Sequence, residues 1–141
     1  MILCPIVKSD FEDWKLMVQD YDPDIGERYR HAWTKFFQPS NSNCLIASHD
    51  LKMVGFVTYV VHDYLWTEEP VCYMSDLYVK PEDRKNGYGR AMVLELAAIS
   101  KALGHARIYW VTEKNNWARR LYDSLAESDW VRYHINLIDS V

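Results

Sequence analysis

Seven consecutive residues, Arg84-Lys85-Asn86-Gly87-Tyr88-Gly89-Arg90, place two glycines among cations directly before a run whose apolar residues fall at helical spacing. A glycine-bearing turn that opens a helix leaves main-chain N–H groups without partners at the positive end of the helix dipole. That is a site for an anion, most often a phosphate. Gly87 and Gly89 lack a Cβ, so the chain can come close to a bulky diphosphate, and Arg84 and Lys85 add charge beside it. Asn86-Gly87 would also suit a reverse turn between two strands, but the segment that follows has a helical pattern. Two common nucleotide loops are excluded. No Lys-Ser or Lys-Thr follows the glycines, as a Walker loop needs, and Arg90-Ala91-Met92 supplies no third glycine for a dinucleotide fingerprint.

A second group lies downstream, where Asn115, Ala118, Leu121, Tyr122 and Leu125 share helical spacing. A tyrosine of ordinary pKa, about 10, stays protonated at neutral pH and can donate a proton. On such a stripe a tyrosine is usually a packing residue whose hydroxyl is satisfied locally.

The elements that must position these groups follow from periodicity. Ile2 to Val7 reads as a strand, and Ser9 or Asp10 caps a helix carrying Phe11, Trp14 and Met17 or Val18 inward, with Glu12 and Asp13 in its first turn. A break at Tyr21-Asp22-Pro23-Asp24 precedes a second helix from Asp24 to Phe37. Strands are predicted over Cys44–Ser48, Lys52–His62 and Val71–Lys80, with a turn at His49-Asp50 and a loop over Asp63–Pro70. Pro81 and the charged run Glu82-Asp83-Arg84-Lys85 end the last of these. From Ala91 the stripe Met92, Leu96, Ile99 and Leu103, widened by Val93 and Ala97, predicts a helix that Gly104 stops. A strand over Ala106–Thr112, a helix over Asn115–Ala126 and a last strand over Trp130–Ile138 complete the chain. The expected fold is mixed α/β around one sheet, in a single domain spanning 1–141.

Composition narrows the function. Net charge is −4, which disfavours a nucleic-acid surface and favours cationic partners. Met1 to Asp10 has no basic start and is interrupted by Pro5, so no secretory leader is expected. The longest mostly apolar run, Met53–Val61, is too short for a helix to cross a bilayer, so no membrane partner is expected. Cys4, Cys44 and Cys72 are far apart and odd in number. They suggest buried thiols in a reducing, cytoplasmic compartment, with neither disulfides nor a metal site.

Leu77-Tyr78-Val79-Lys80-Pro81 followed by Arg84-x-x-Gly87-x-Gly89 resembles the coenzyme A signature of the GNAT superfamily of N-acetyltransferases. Asn115-x-x-Ala118-x-x-Leu121-Tyr122 resembles the second motif of the same family, and the predicted element order is similar over almost the whole chain. Tyr109–Thr112, Ala118–Asp123 and Ala126–Tyr133 resemble more narrowly its histone-and-polyamine acetyltransferase branch. The resemblance implies a mostly antiparallel central sheet flanked by helices, acetyl-CoA as co-substrate, and transfer to a small-molecule or peptidyl amine. It implies that Leu77, Tyr78, Val79, Arg84, Lys85, Asn86, Gly87, Tyr88, Gly89 and Arg90 bind the cofactor. Asn115, or Asn116 in a competing register, would hold the pantetheine arm, and Tyr122 would lie near the sulfur as general acid.

The attacking amine must be neutral. For a lysine-like amine of pKa roughly 10.4, deprotonation at pH 7 costs about 4–5 kcal/mol, so the site must supply a proton acceptor. Two positions where family members carry a glutamate hold Tyr73 and Trp110 here, leaving Asp76, Glu113 or a water chain for the task. An N–H on an open strand edge at Leu77–Val79 could stabilise the oxyanion. Two acidic, aromatic loops, Asp20–Asp24 with Glu27 and Asp63–Glu69, would suit a cationic acceptor, and their aromatics could instead pack or form a homodimer contact.

Overall fold

The computed structural model describes residues 1–139 as two compact units, one from Met1 to Trp110 and one from Val111 onward. The first holds a five-stranded sheet in the order β1-β2-β3-β4-β5, formed by β1 (Ile2–Pro5), β2 (Ser42–His49), β3 (Lys52–His62), β4 (Val71–Val79) and β5 (Ile108–Tyr109). Neighbours are antiparallel except β4 and β5, which run parallel, because a helical crossover separates them. The mixed α/β class and the mostly antiparallel sheet are as expected.

Helices α1 (Phe11–Tyr21) and α2 (Tyr29–Phe36) cover one sheet face. Trp14, Met17, Val18 and Tyr29 bury there against Cys44, Ile46, Phe56 and Tyr78, with Trp33 and Phe36 packed alongside. Alternation along the strands selects that set, since Cys44 and Ile46, or Phe56 and Thr58, share a face. Helix α3 (Tyr88–Ala102) packs on β4 and buries Met92, Val93 and Leu96. It begins at Tyr88, a turn earlier than the apolar stripe indicated.

Helix α2 starts at Tyr29 rather than Asp24 because local hydrogen bonds claim the backbone first. The Asp24 N–H donates to Asp22 Oδ1 at 3.0 Å, Gly26 takes φ +57°, and the Arg28 guanidinium donates to the carbonyls of Ile25 and Asp24. Asp10 does not cap α1 with its side chain. Its Oδ2 instead accepts the Val7 N–H at 2.9 Å, closing the turn that leads into the helix. Asp50 and Leu51, both with positive φ, form the β2–β3 turn, one residue later than predicted. Cys44 and Cys72 are buried as free thiols, whereas Cys4, on the edge strand, is exposed.

Gly55 sits where β3 passes closest to β4: a Cβ there would lie 2.1 Å from the Tyr78 carbonyl oxygen. Gly55→Ala must push backbone against backbone, and is expected to cost about 1–3 kcal/mol of stability, measurable by denaturant titration.

In the second unit, α4 (Arg119–Asp123) is shorter than the predicted Asn115–Ala126 helix. The Asn116 side chain accepts the Ala118 N–H at 2.9 Å, forming a turn where the helix would have begun. The expected strand over Trp130–Ile138 is absent: among the described residues, none after Asp123 is in a helix or strand. Its apolar pattern is strand-like, but a strand exists only through a partner's hydrogen bonds, and no strand among the described residues pairs with it. No helix among the described residues is long and apolar enough to cross a membrane.

Candidate active site

The strand–turn–helix expected around Arg84–Arg90 is formed between β4 and α3. Pro81–Asp83 turn away from the strand in a short 3-10 helix, Lys85 takes φ +67°, and Gly87 takes φ +78° as the helix N-cap. The first intrahelical bond runs from the Ala91 N–H to the Gly87 carbonyl at 3.0 Å, so the N–H groups of Tyr88, Gly89 and Arg90 precede the helical ladder. No side chain caps this end. A Cβ on Gly87 would meet no atom within 4 Å, so packing does not demand the glycine; the left-handed φ does, and the space beside it stays clear. A diphosphate, doubly anionic and bulky, fits that combination.

Arg84 is tied to the strand end, with its Nε donating to the Val79 carbonyl at 2.9 Å and its guanidinium 5.9 Å from the Tyr78 ring. Asn86 braces the turn by donating to the Asp83 carbonyl at 3.0 Å. Lys85 and Gly87 are exposed, while Tyr88 is half-buried with its ring against His49.

β4 supplies the open edge. Among the described residues it pairs with β5 only at Cys72 and Tyr73, and the stretch from Met74 to Val79 has no strand neighbour on that side. The Lys80 N–H bonds the Val54 carbonyl, and alternation from there turns the main-chain groups of Leu77 and Val79 to the open side and those of Tyr78 toward β3. The Tyr78 side chain is buried against α1, with its hydroxyl donating to Asp20 Oδ2 at 2.5 Å. Burial and that carboxylate push its pKa upward.

One residue earlier the ladder slips. Thr58 pairs with Asp76, but Tyr59 pairs with Met74, so Ser75 bulges out of β4. The bulge sits in the wall of a cavity of about 320 Å³, lined from the helical side by Arg28, His31 and Lys35 and from the sheet by Thr58, Ser75 and Asp76. Asp76 is half-buried and accepts a hydrogen bond from the Thr58 hydroxyl. Asp76 is legible as a candidate in the sequence, whereas Thr58, Ser75, His31 and Lys35 come together only in the fold. The signal for the helical pair was present, because His31 and Lys35 are four apart and share a helix face.

The acidic loops are less available than their composition suggested. Asp20 holds Tyr78, Asp22 lies 3.6 Å from Arg28, and Glu27 pairs with Arg30 at 2.5 Å, which keeps its carboxyl below the ordinary range. The Asp63–Glu69 loop joins β3 to β4 at the end of β4 opposite the glycine turn.

In the second unit Asn116 is engaged on two sides, donating to Thr112 Oγ1 at 2.8 Å and accepting from Ala118. Asn115 is exposed. Tyr122 lies on α4, half-buried, and burial raises its pKa. Glu113 is exposed, with its main chain accepting the Asn116 N–H.

The sequence matches the model of the acetyltransferase (GNAT) family over residues 7–126. It is 38% identical to the D-amino-acid N-acetyltransferase of Saccharomyces cerevisiae, over 96% of this chain and 91% of the yeast protein. The fold is shared with the ribosomal-protein-alanine N-acetyltransferase of Brucella melitensis biovar Abortus 2308 (TM-score 0.81, 21% identity, covering 97% of this chain and 100% of that one). It is shared also with AAC(6')-Iy, solved with a CoA-containing bisubstrate analogue (TM-score 0.80, 17% identity, 97% and 98% covered). The glycine turn at the mouth of α3, the open edge of β4 and the family match over most of the chain together make this protein a member of the GNAT family of acetyl-CoA-dependent N-acetyltransferases.

Proposed function

We propose that the chain acts as one catalytic domain that transfers the acetyl group of acetyl-CoA directly to the primary amine of a small acceptor. The acyl donor brings an activated thioester, and the protein's residues do the rest. The N–H groups at Tyr88, Gly89 and Arg90, with Arg84 and Lys85, grip the diphosphate, and Asn115 holds the pantetheine arm. A main-chain N–H at Leu77 or Val79 meets the oxyanion. Asp76, directly or through water, takes the proton from the amine, and Tyr122 returns one to the departing thiolate. One observation carries the acceptor side: a carboxylate, oriented by Thr58, stands in the wall of a cavity, one residue before Leu77 on the open stretch of β4.

The test is thiol release from acetyl-CoA across an amine panel. It should include polyamines and lysine peptides, as the histone-and-polyamine branch would use, peptide N-termini, and amino acids, the class named for the yeast relative. Asp76→Asn keeps the shape of the side chain and is expected to lower kcat/KM for the acceptor by roughly 100-fold, with the KM for acetyl-CoA little changed. An unchanged kcat/KM would assign the base to Glu113 or to water.

Tyr73 and Trp110 in place of the family's carboxylates favour a second reading, a non-catalytic acyl-CoA-binding module. Tight binding of coenzyme A with no turnover of any amine would select it. A homodimer is also part of the proposal, supported by the exposed Trp130, Tyr133, Ile135 and Leu137. Light scattering is expected to return twice the chain mass, and Trp130→Glu to lower it.

A further inference from the structure

We infer that the acceptor carries a carboxylate beside its amine, and that Lys35 and His31 of α2 bind that carboxylate while the amine faces Asp76. The inference rests on the acetyltransferase reading above and adds the substrate class to it. The cavity has walls of opposite character: Arg28 at the N-cap of α2 and His31 and Lys35 within it, spaced three and four apart, line one side, and β4 contributes the carboxylate of Asp76. Arg28 is bound by the loop before it, its guanidinium donating to the carbonyls of Asp24 and Ile25 and lying 3.6 Å from Asp22. The side chains of His31 and Lys35 have no hydrogen-bond or ion-pair partner among the described residues, so an ammonium and an imidazole line the helical wall of a cavity whose sheet wall holds Asp76, neither of them paired with it.

That arrangement complements a zwitterion and opposes a polycation. A polyamine or a lysine-rich peptide would bring further positive charge against Arg28 and Lys35. Ahead of α2, Asp20, Asp22 and Glu27 are engaged by Tyr78, Arg28 and Arg30. Size agrees: about 320 Å³ lies at the lower end of small-molecule sites, which run from roughly 300 to 1,000 Å³. Asn43 and Ser42 on β2 add uncharged polar groups to the same lining.

Matched pairs of acceptors test this, each an amino acid and the amine left by its decarboxylation: phenylalanine with phenethylamine, leucine with isopentylamine. Both enantiomers of each amino acid and spermidine complete the set. The amino acid of each pair is expected to show kcat/KM at least about tenfold above its amine. Lys35→Met should reduce that ratio roughly 10- to 100-fold, His31→Asn by less, and Lys35→Arg should restore most of it. A ratio near one in the wild type, a preference for spermidine, or a ratio that Lys35→Met does not move would overturn the carboxylate subsite while leaving the acetyltransferase reading in place.

If no amine of any kind is acetylated, the reading beneath it fails, and calorimetry still reads the subsite. N-acetyl-phenylalanine titrated into protein saturated with coenzyme A should bind the wild type and bind Lys35→Met at least about tenfold more weakly. No binding to the wild type would refute the subsite there too.

Discussion

Gly87→Val is expected to abolish measurable coenzyme A binding while leaving the chain folded. Gly87 holds φ +78°, a left-handed conformation that costs an L-residue about 1–2 kcal/mol and a β-branched one more. The substituted turn relaxes by rotating the peptide that leads into α3, which swings the N–H groups of Tyr88, Gly89 and Arg90 away from their common focus. A charge-assisted hydrogen bond is worth about 1.5–3 kcal/mol, so losing two of them weakens binding by roughly 10²- to 10⁴-fold. Gly87→Asn separates the two causes, since asparagine tolerates the left-handed region while its side chain enters the space that the glycine leaves clear. If the backbone conformation alone matters, Asn will bind nearly as well as Gly; if close approach matters, Asn will fail like Val. Calorimetric titration gives the affinity. Thermal unfolding, in which Val is expected to lower Tm by only a few degrees, shows that folded protein was titrated.

That turn was legible because everything defining it is local. The glycines, the cations and the apolar stripe from Met92 lie within one stretch of chain, and the same is true of β3, whose predicted limits Lys52–His62 match the observed strand. The cavity was not legible, because it is made by register. Ser75 bulges only because Thr58 pairs with Asp76 while Tyr59 pairs with Met74, a slip between strands that neither sequence announces. Likewise His31 and Lys35 are ordinary polar positions of a short helix until β2, β3 and β4 are placed under it. The segment from Trp130 to Ile138 fails in the opposite direction: its alternation is as good as that of β4, but alternation specifies which face a strand would bury, not whether a partner exists. Gly55 lies between. A glycine inside a strand pattern signals close approach, and only the structure shows that the approaching group is the Tyr78 carbonyl.

Tyr122→Phe is expected to lower kcat by about 10²-fold or more without changing coenzyme A affinity. The substitution removes one oxygen from a half-buried ring and keeps the packing, so α4 should persist and any loss reports the hydroxyl. The thiolate leaving group has an ordinary thiol pKa of about 8.5, below that of the phenol, so at neutral pH the donor must be held protonated and close rather than be strongly acidic. Burial does the first of these by raising the Tyr122 pKa, since the phenolate would lose hydration. The sign of the pH effect follows. A general acid works below its pKa, so the wild type should keep its kcat up to and beyond pH about 10 and lose it only as Tyr122 ionises, an alkaline limb that Phe removes. Folding carries the same signature: with the folded pKa above the unfolded value of about 10, the stabilisation is complete below that pH and is lost as pH rises through the folded value. Tyr122→Phe should flatten the alkaline end of the stability profile as well as that of the rate profile. A flattened stability profile with kcat unchanged would confine the hydroxyl to packing and return the proton of the thiolate to solvent.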